Sequence, residues 1–60
     1  MTEEQRHALE AALLQTKRLA PFRIVWGYID ADGLPVVYAS KDKRAMNREV
    51  RAGREVLQAV

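Results

Sequence analysis

The hydrophobic positions at the start of the chain recur with the period of an α-helix. Thr2 and Gln5, three residues apart, form a capping-box pattern, and Pro21 ends the segment because proline cannot continue a helix. We therefore predict a first helix over about residues 3–19. Leu14 projects from its polar side, where it is either an ordinary exposed leucine or part of a subunit contact. The apolar stripe consists of Ala8, Leu9, Ala12, Leu13, Thr16, Leu19 and Ala20.

After the proline the pattern changes to the two-residue alternation of β-strands. Strands are predicted over about residues 22–30 and 34–39, because both segments are rich in β-branched and aromatic residues. The intervening Asp30–Gly33 supplies turn residues, among which Asp-Gly is a strong hairpin signal. Pro35 indicates an edge strand or an unpaired amide there.

A second amphipathic pattern fills the last third of the chain. Ser40 is the predicted N-cap and Asp42 lies in the first turn, so a helix is expected over about residues 41–59. The expected architecture is a small single α+β domain in αββα order, helix–hairpin–helix. The apolar stripe of this helix consists of Met46, Val50, Gly53, Leu57 and Val60.

Both faces of the predicted hairpin carry apolar side chains, and a two-stranded ribbon cannot hide both. A chain of 60 residues without cysteine has a marginal core and no disulfide. Homodimerisation is therefore expected to complete the fold, and the alternative is that the two helices lie on opposite sides of the ribbon. The residues expected to self-associate are Trp26, Tyr28, Val25, Ile29 and Leu14.

Basic residues crowd the predicted second helix, with six basic against three acidic side chains over residues 40–60. Arginines four and three residues apart repel one another, and cations in a first turn oppose the helix dipole. Such a face is either an unselected solvated surface or a binding surface for an anionic partner. The candidate partner-binding residues are Lys41, Lys43, Arg44, Asn47, Arg48, Arg51 and Arg54.

Candidate catalytic and metal-binding residues are few. His7 lies one helical turn from Glu3 and Glu10, which is typical of a solvated helix face rather than of a closed metal site. Asp30 and Asp32 are the one pair of neighbouring carboxylates, and turn formation explains them better than acid–base chemistry does. With one histidine and no cysteine, we predict neither an enzyme nor a bound metal or cofactor.

Two short segments resemble known families. Residues 27–33 resemble the signature of LAGLIDADG homing endonucleases, which implies a metal-binding role for Asp32. That signature ends a closely packed helix, however, whereas Trp26 is bulky and the segment alternates as a strand, so nuclease activity is not predicted. Residues 40–45 are similar to the lysine-bearing helix start of double-stranded-RNA-binding domains, which implies contact with phosphates.

The sequence as a whole favours a non-enzymatic regulatory or inhibitory accessory protein, of the kind that phages and mobile elements carry. Its expected partner is a macromolecule with an anionic surface, a protein in the first place, bound through the basic helix or an apolar hairpin face. Nucleic-acid binding by the same helix is the alternative, and a purely structural subunit is the third possibility. The acidic, polar N-terminus and the lack of a long apolar run predict a cytoplasmic protein without membrane contact.

Overall fold

The first helix, α1, spans Glu3–Leu19 in the computed structural model, which describes residues 1–60. Its N-terminus carries the expected capping box. The Gln5 amide donates to the Thr2 hydroxyl at 3.1 Å, and the Thr2 amide donates to the Gln5 side-chain oxygen at 3.0 Å. The helix ends at its C-cap, Ala20, directly before Pro21.

An antiparallel hairpin follows, formed by β1 (Ile24–Ile29) and β2 (Pro35–Ser40). The Asp30 carboxylate organises the turn, since one of its oxygens accepts the amides of Asp32 and Leu34, each at 2.9 Å. Gly33 has a φ of 80°, which glycine adopts at little cost. The connection is a three-residue loop that ends in this glycine, rather than a two-residue Asp-Gly turn.

The second helix is shorter than predicted. It was expected over residues 41–59, but α2 spans Arg44–Arg51. Gly53, interpreted from the sequence as part of the apolar stripe, has a φ of 89° and ends the helix. The amide of Gly53 donates to the carbonyl of Val50, and the amide of Arg54 donates to that of Glu49, which together form a Schellman motif.

The residues after this turn form a third strand, β3 (Leu57–Gln58), which pairs antiparallel with β1. The αββα order is therefore wrong in this respect, and the observed order is α1-β1-β2-α2-β3. The strands lie in the order β2-β1-β3, so β1 is central and the chain is a small α+β domain.

Helix α1 packs on one face of the sheet. Leu9 and Leu13 of α1 form the core with Val25 of β1, and all three are buried. Gly27 lies beneath the helix, where an added Cβ would overlap the carbonyl oxygen of Val36 and lie 3.1 Å from Leu9 Cδ1. Glycine here permits close packing of helix and sheet. Around the core pack Ile29, Val37, Leu57 and Ala59.

The connection from β2 to β3 must cross β1, and it crosses the face opposite α1. The Arg54 guanidinium, at the end of this connection, lies 4.1 Å from the centre of the Tyr28 ring. Trp26 on the same face is buried, as is Met46 of α2. The alternative to dimerisation was that helical segments cover both faces of the hairpin. Within one chain, helical segments do lie on both sides of the sheet.

Candidate binding surface

Four of the predicted partner-binding side chains lie together on α2. Arg44, Arg48 and Arg51 follow one another at intervals of four and three residues, which places them on one side of a helix. With Asn47 they line a shallow cleft that contains no apolar side chain. This set, called the arginine row below, faces solvent throughout.

The acidic residues nearest in sequence to the arginine row are engaged mostly elsewhere. Glu49 pairs with Arg54 at 2.8 Å, and Glu55 pairs with the amino group of Met1 at 3.0 Å. Asp42 pairs with Arg44 at 3.3 Å, and both side chains are largely exposed. Exposed pairs of this kind contribute about 0–1 kcal/mol.

Consequently Arg48 and Arg51 have no acidic partner within the chain. Both guanidinium groups are left to bind water or an external anion. Within the arginine row, these are the two charges that no ion pair offsets.

The start of α2 is weakly capped. Ser40, the predicted N-cap, lies in β2, and its hydroxyl accepts a hydrogen bond from the Trp26 indole at 3.0 Å. Lys43 occupies the N-cap position without a side-chain hydrogen bond, and no acidic residue lies in the first turn. Asp42 partly compensates by accepting the Arg44 amide at 3.0 Å. The cationic start opposes the helix dipole, which costs about 0.3–1 kcal/mol per charge.

The remaining predicted partner-binding residues do not join the row on the helix. Lys41 and Lys43 lie in the bend that precedes α2. Arg54 follows the helix and is held by Glu49 and by the ring of Tyr28. The hydrogen bond that Arg54 donates to the Glu49 carboxylate also raises the pKa of Arg54. The predicted single surface thus consists of the arginine row, two lysines in the bend before the helix, and an arginine that is held separately.

An aromatic cluster on the second sheet face was only partly foreseen. Trp26 stacks on Tyr38 with ring centres 4.9 Å apart, and Tyr28 lies 6.2 Å from each of them. Interaction with the neighbouring Tyr38 hydroxyl, followed by burial, raises the pKa of Tyr28 above its ordinary value of 10.0. The alternation indicated Trp26 and Tyr28, and the register that brings Tyr38 opposite Trp26 completes the cluster.

The residues predicted to self-associate differ in how far the single chain buries them. Val25 and Trp26 are buried within one chain, which leaves their side chains little area for contact with a second copy. Tyr28 and Ile29 are half-buried. Leu14 is 55% exposed and remains available to a partner.

The possible ligands for a metal remain scattered. His7 lies 3.6 Å from Glu3 on the exposed face of α1, whereas Asp30 is occupied with the turn amides. No group of three or more histidine, cysteine or acidic side chains comes together in a metal-binding arrangement. Neither helix has the length and apolar character that crossing a bilayer requires.

Comparison with known protein families, with curated proteins and with solved structures found no match to this chain.

Proposed function

We propose that this protein is a non-enzymatic regulatory or inhibitory binding module that recognises an acidic surface on another protein through the arginine row. The observation that carries the proposal is the pair Arg48 and Arg51, which are exposed and without an acidic partner on a helix whose start is also cationic. An external anionic surface would remove the repulsion that this arrangement creates.

The row has dimensions that suit a protein surface. Residues 44 and 51 are separated by about 10.5 Å along the helix axis, from a rise of about 1.5 Å per residue. Acidic side chains at matching intervals on a partner helix or loop could pair with each arginine through the planar guanidinium. Arginine is enriched among the hot-spot residues of protein interfaces.

Nucleic-acid binding is the second candidate, favoured by Asn47 within the row. Asparagine can bind adenine through two hydrogen bonds, while arginines contact phosphates. The net charge of +2, however, gives little long-range attraction to a polyanion. The protein partner is therefore the leading proposal.

The test uses the triple variant Arg44→Gln, Arg48→Gln and Arg51→Gln. Removing two like-charge neighbour contacts at about 0.2–0.5 kcal/mol each should leave the free protein as stable as the wild type or slightly more stable. Thermal unfolding followed by circular dichroism measures this. A matched control variant removes three arginines elsewhere, namely Arg6→Gln, Arg18→Gln and Arg23→Gln.

Both variants and the wild type are then used to capture partners from the native host, with and without nuclease, followed by mass spectrometry. An acidic protein that is retained by the wild type and the control after nuclease treatment, and lost by the arginine-row variant, supports the proposal. Nuclease-sensitive capture with a log–log salt slope reduced by about one per lost phosphate contact supports nucleic-acid binding instead. Equal capture by all three proteins would refute both candidates for this face.

A further inference from the structure

A second surface, on the opposite side of the molecule from the aromatic cluster, is an apolar groove between α1 and the last strand. Helix α1 packs mainly over β1 and β2, which leaves space beside β3. Leu13 and Leu14 form one wall of the groove, and Ala59 and Val60 form the other. Leu14 is 55% exposed, so part of the apolar lining is in contact with water.

The strand beside this groove is an open sheet edge. The amide of Ala59 donates to the carbonyl of Val25 at 2.8 Å, and Gln58 lies opposite Trp26 in the register. In an antiparallel pair, alternate residues direct their amide and carbonyl towards the partner strand. The backbone polar groups of Gln58 therefore point away from β1, where another strand or a solvent molecule can bind them.

An acidic and a basic side chain of α1 lie on either side of Leu14 along the groove, so two antiparallel copies of the helix would place opposite charges together. Glu10 precedes Leu14 by four residues and Lys17 follows it by three, and all three line the groove. Neither Glu10 nor Lys17 forms an ion pair within the chain. Lys17 makes a single hydrogen bond, to the carbonyl of Arg23 at 2.9 Å.

We propose that the groove binds a second copy of this chain, with the two α1 helices antiparallel about a twofold axis near Leu14. In that arrangement Glu10 lies against the partner's Lys17, and Lys17 lies against the partner's Glu10. The same residues serve on both sides, as a twofold interface requires. Leu14 then packs against the partner's Leu14 over the apolar floor of the groove.

The size of the chain explains why such a contact would be useful and why it should be weak. Five apolar side chains are buried in the single chain, which is a small core for 60 residues. A standard interface needs about 800 Å² from each partner, close to a fifth of the 4486 Å² surface of this chain. A groove beside one short edge strand supplies part of that area, so we expect association at micromolar concentration.

Sedimentation velocity over a concentration series tests the proposal, with circular dichroism to verify that every variant is folded. The wild type should show a concentration-dependent monomer–dimer equilibrium. Leu14→Asp should abolish the dimer, because it introduces two charges near the axis. Leu19→Asp is the matched control, since Leu19 is 82% exposed and does not line the groove, and it should leave the dimer unchanged.

A charge exchange distinguishes this interface from any other. Glu10→Lys should raise the dissociation constant at least about tenfold, because two attractive pairs become repulsive. The double variant Glu10→Lys with Lys17→Glu should recover most of the wild-type affinity, since the pairs are restored in reverse. A monomer at all concentrations, or a dimer indifferent to Leu14→Asp and to the charge exchange, would overturn the proposal. Arginine-row binding is measured separately, so either proposal can fail alone.

Discussion

Gly27 is the position with the least space for a side chain, and the variant Gly27→Ala tests this restriction. The residue lies in the central strand with an ordinary φ, so its backbone conformation does not require glycine. An added Cβ would overlap the carbonyl oxygen of Val36 and approach Leu9 Cδ1 to 3.1 Å and Val37 Cα to 3.2 Å. Two of these three neighbours are backbone atoms, which cannot move without shifting β2.

Overpacking of this kind costs about 1–3 kcal/mol, and the backbone contacts place Gly27→Ala near the upper end. Loss of unfolded-state entropy opposes the effect by about 0.4–1 kcal/mol. The expected net loss is therefore about 2–2.5 kcal/mol. Typical stability of about 0.05–0.15 kcal/mol per residue gives the whole chain about 3–9 kcal/mol, so the melting temperature should fall by about 10–20 °C.

Urea and thermal unfolding, followed by Trp26 fluorescence and circular dichroism at matched protein concentration, measure the change. Gly53→Ala is the comparison, because Gly53 has a φ of 89° and open space around its Cβ position. It should cost about 1–2 kcal/mol through backbone strain alone, and Gly53→Asn should cost less because asparagine tolerates that conformation better. A Gly27→Ala variant within about 0.5 kcal/mol of the wild type would refute the close approach of the β2 backbone to Gly27.

Two further predictions concern single side chains. Because the pKa of Tyr28 is raised in the folded state, its contribution to stability should be fully present below about pH 10 and be lost as the pH rises through the folded pKa. In urea titrations at increasing pH, the unfolding free energy of Tyr28→Phe should therefore fall less steeply than that of the wild type. Asp30→Ala should lower the unfolding free energy by about 1–2 kcal/mol, because two amides lose a charged acceptor. Asp32→Ala should change it by less than about 0.5 kcal/mol, and asparagine at both positions should be nearly neutral. A rise in melting temperature with magnesium or calcium that vanishes in the double asparagine variant would contradict this assignment to turn formation.

The first helix and the hairpin could be predicted because their signals are local. Thr2, Gln5 and Pro21 define the ends of α1 by hydrogen bonding and ring geometry within a few residues. Asp30 and Gly33 act in the same way on the turn. No long-range contact was needed to interpret these residues.

The last third of the chain was predicted less well because its outcome depends on tertiary pairing. Leu57 continues a helical spacing from Met46 and Val50, so periodicity alone extends the helix through it. The helix ends instead in the Schellman motif at Gly53, and Leu57 pairs with Gly27 in the central strand. A glycine on an otherwise apolar helical stripe was the available signal of that break.

The sequence places the arginine row on the helix better than it places Arg54. The arginine row follows from helical spacing, and it lies where the spacing places it. Arg54 could not be separated from the row in the sequence, because its partners Glu49 and Tyr28 are brought to it by the helix end and the sheet. The burial of Trp26 likewise depends on a chain crossing that no local pattern indicates.

The way α2 is attached has a consequence for how such a chain can diversify. Met46 is the one buried side chain of the helix, while the core beneath α1 is built by other segments. Substitutions at the outward positions of α2 therefore leave that core unchanged. Substitutions at a few outward positions of α2 could therefore change which partners the chain binds. Because these positions are independent of the core, they are also suitable for randomisation in a library built on this scaffold.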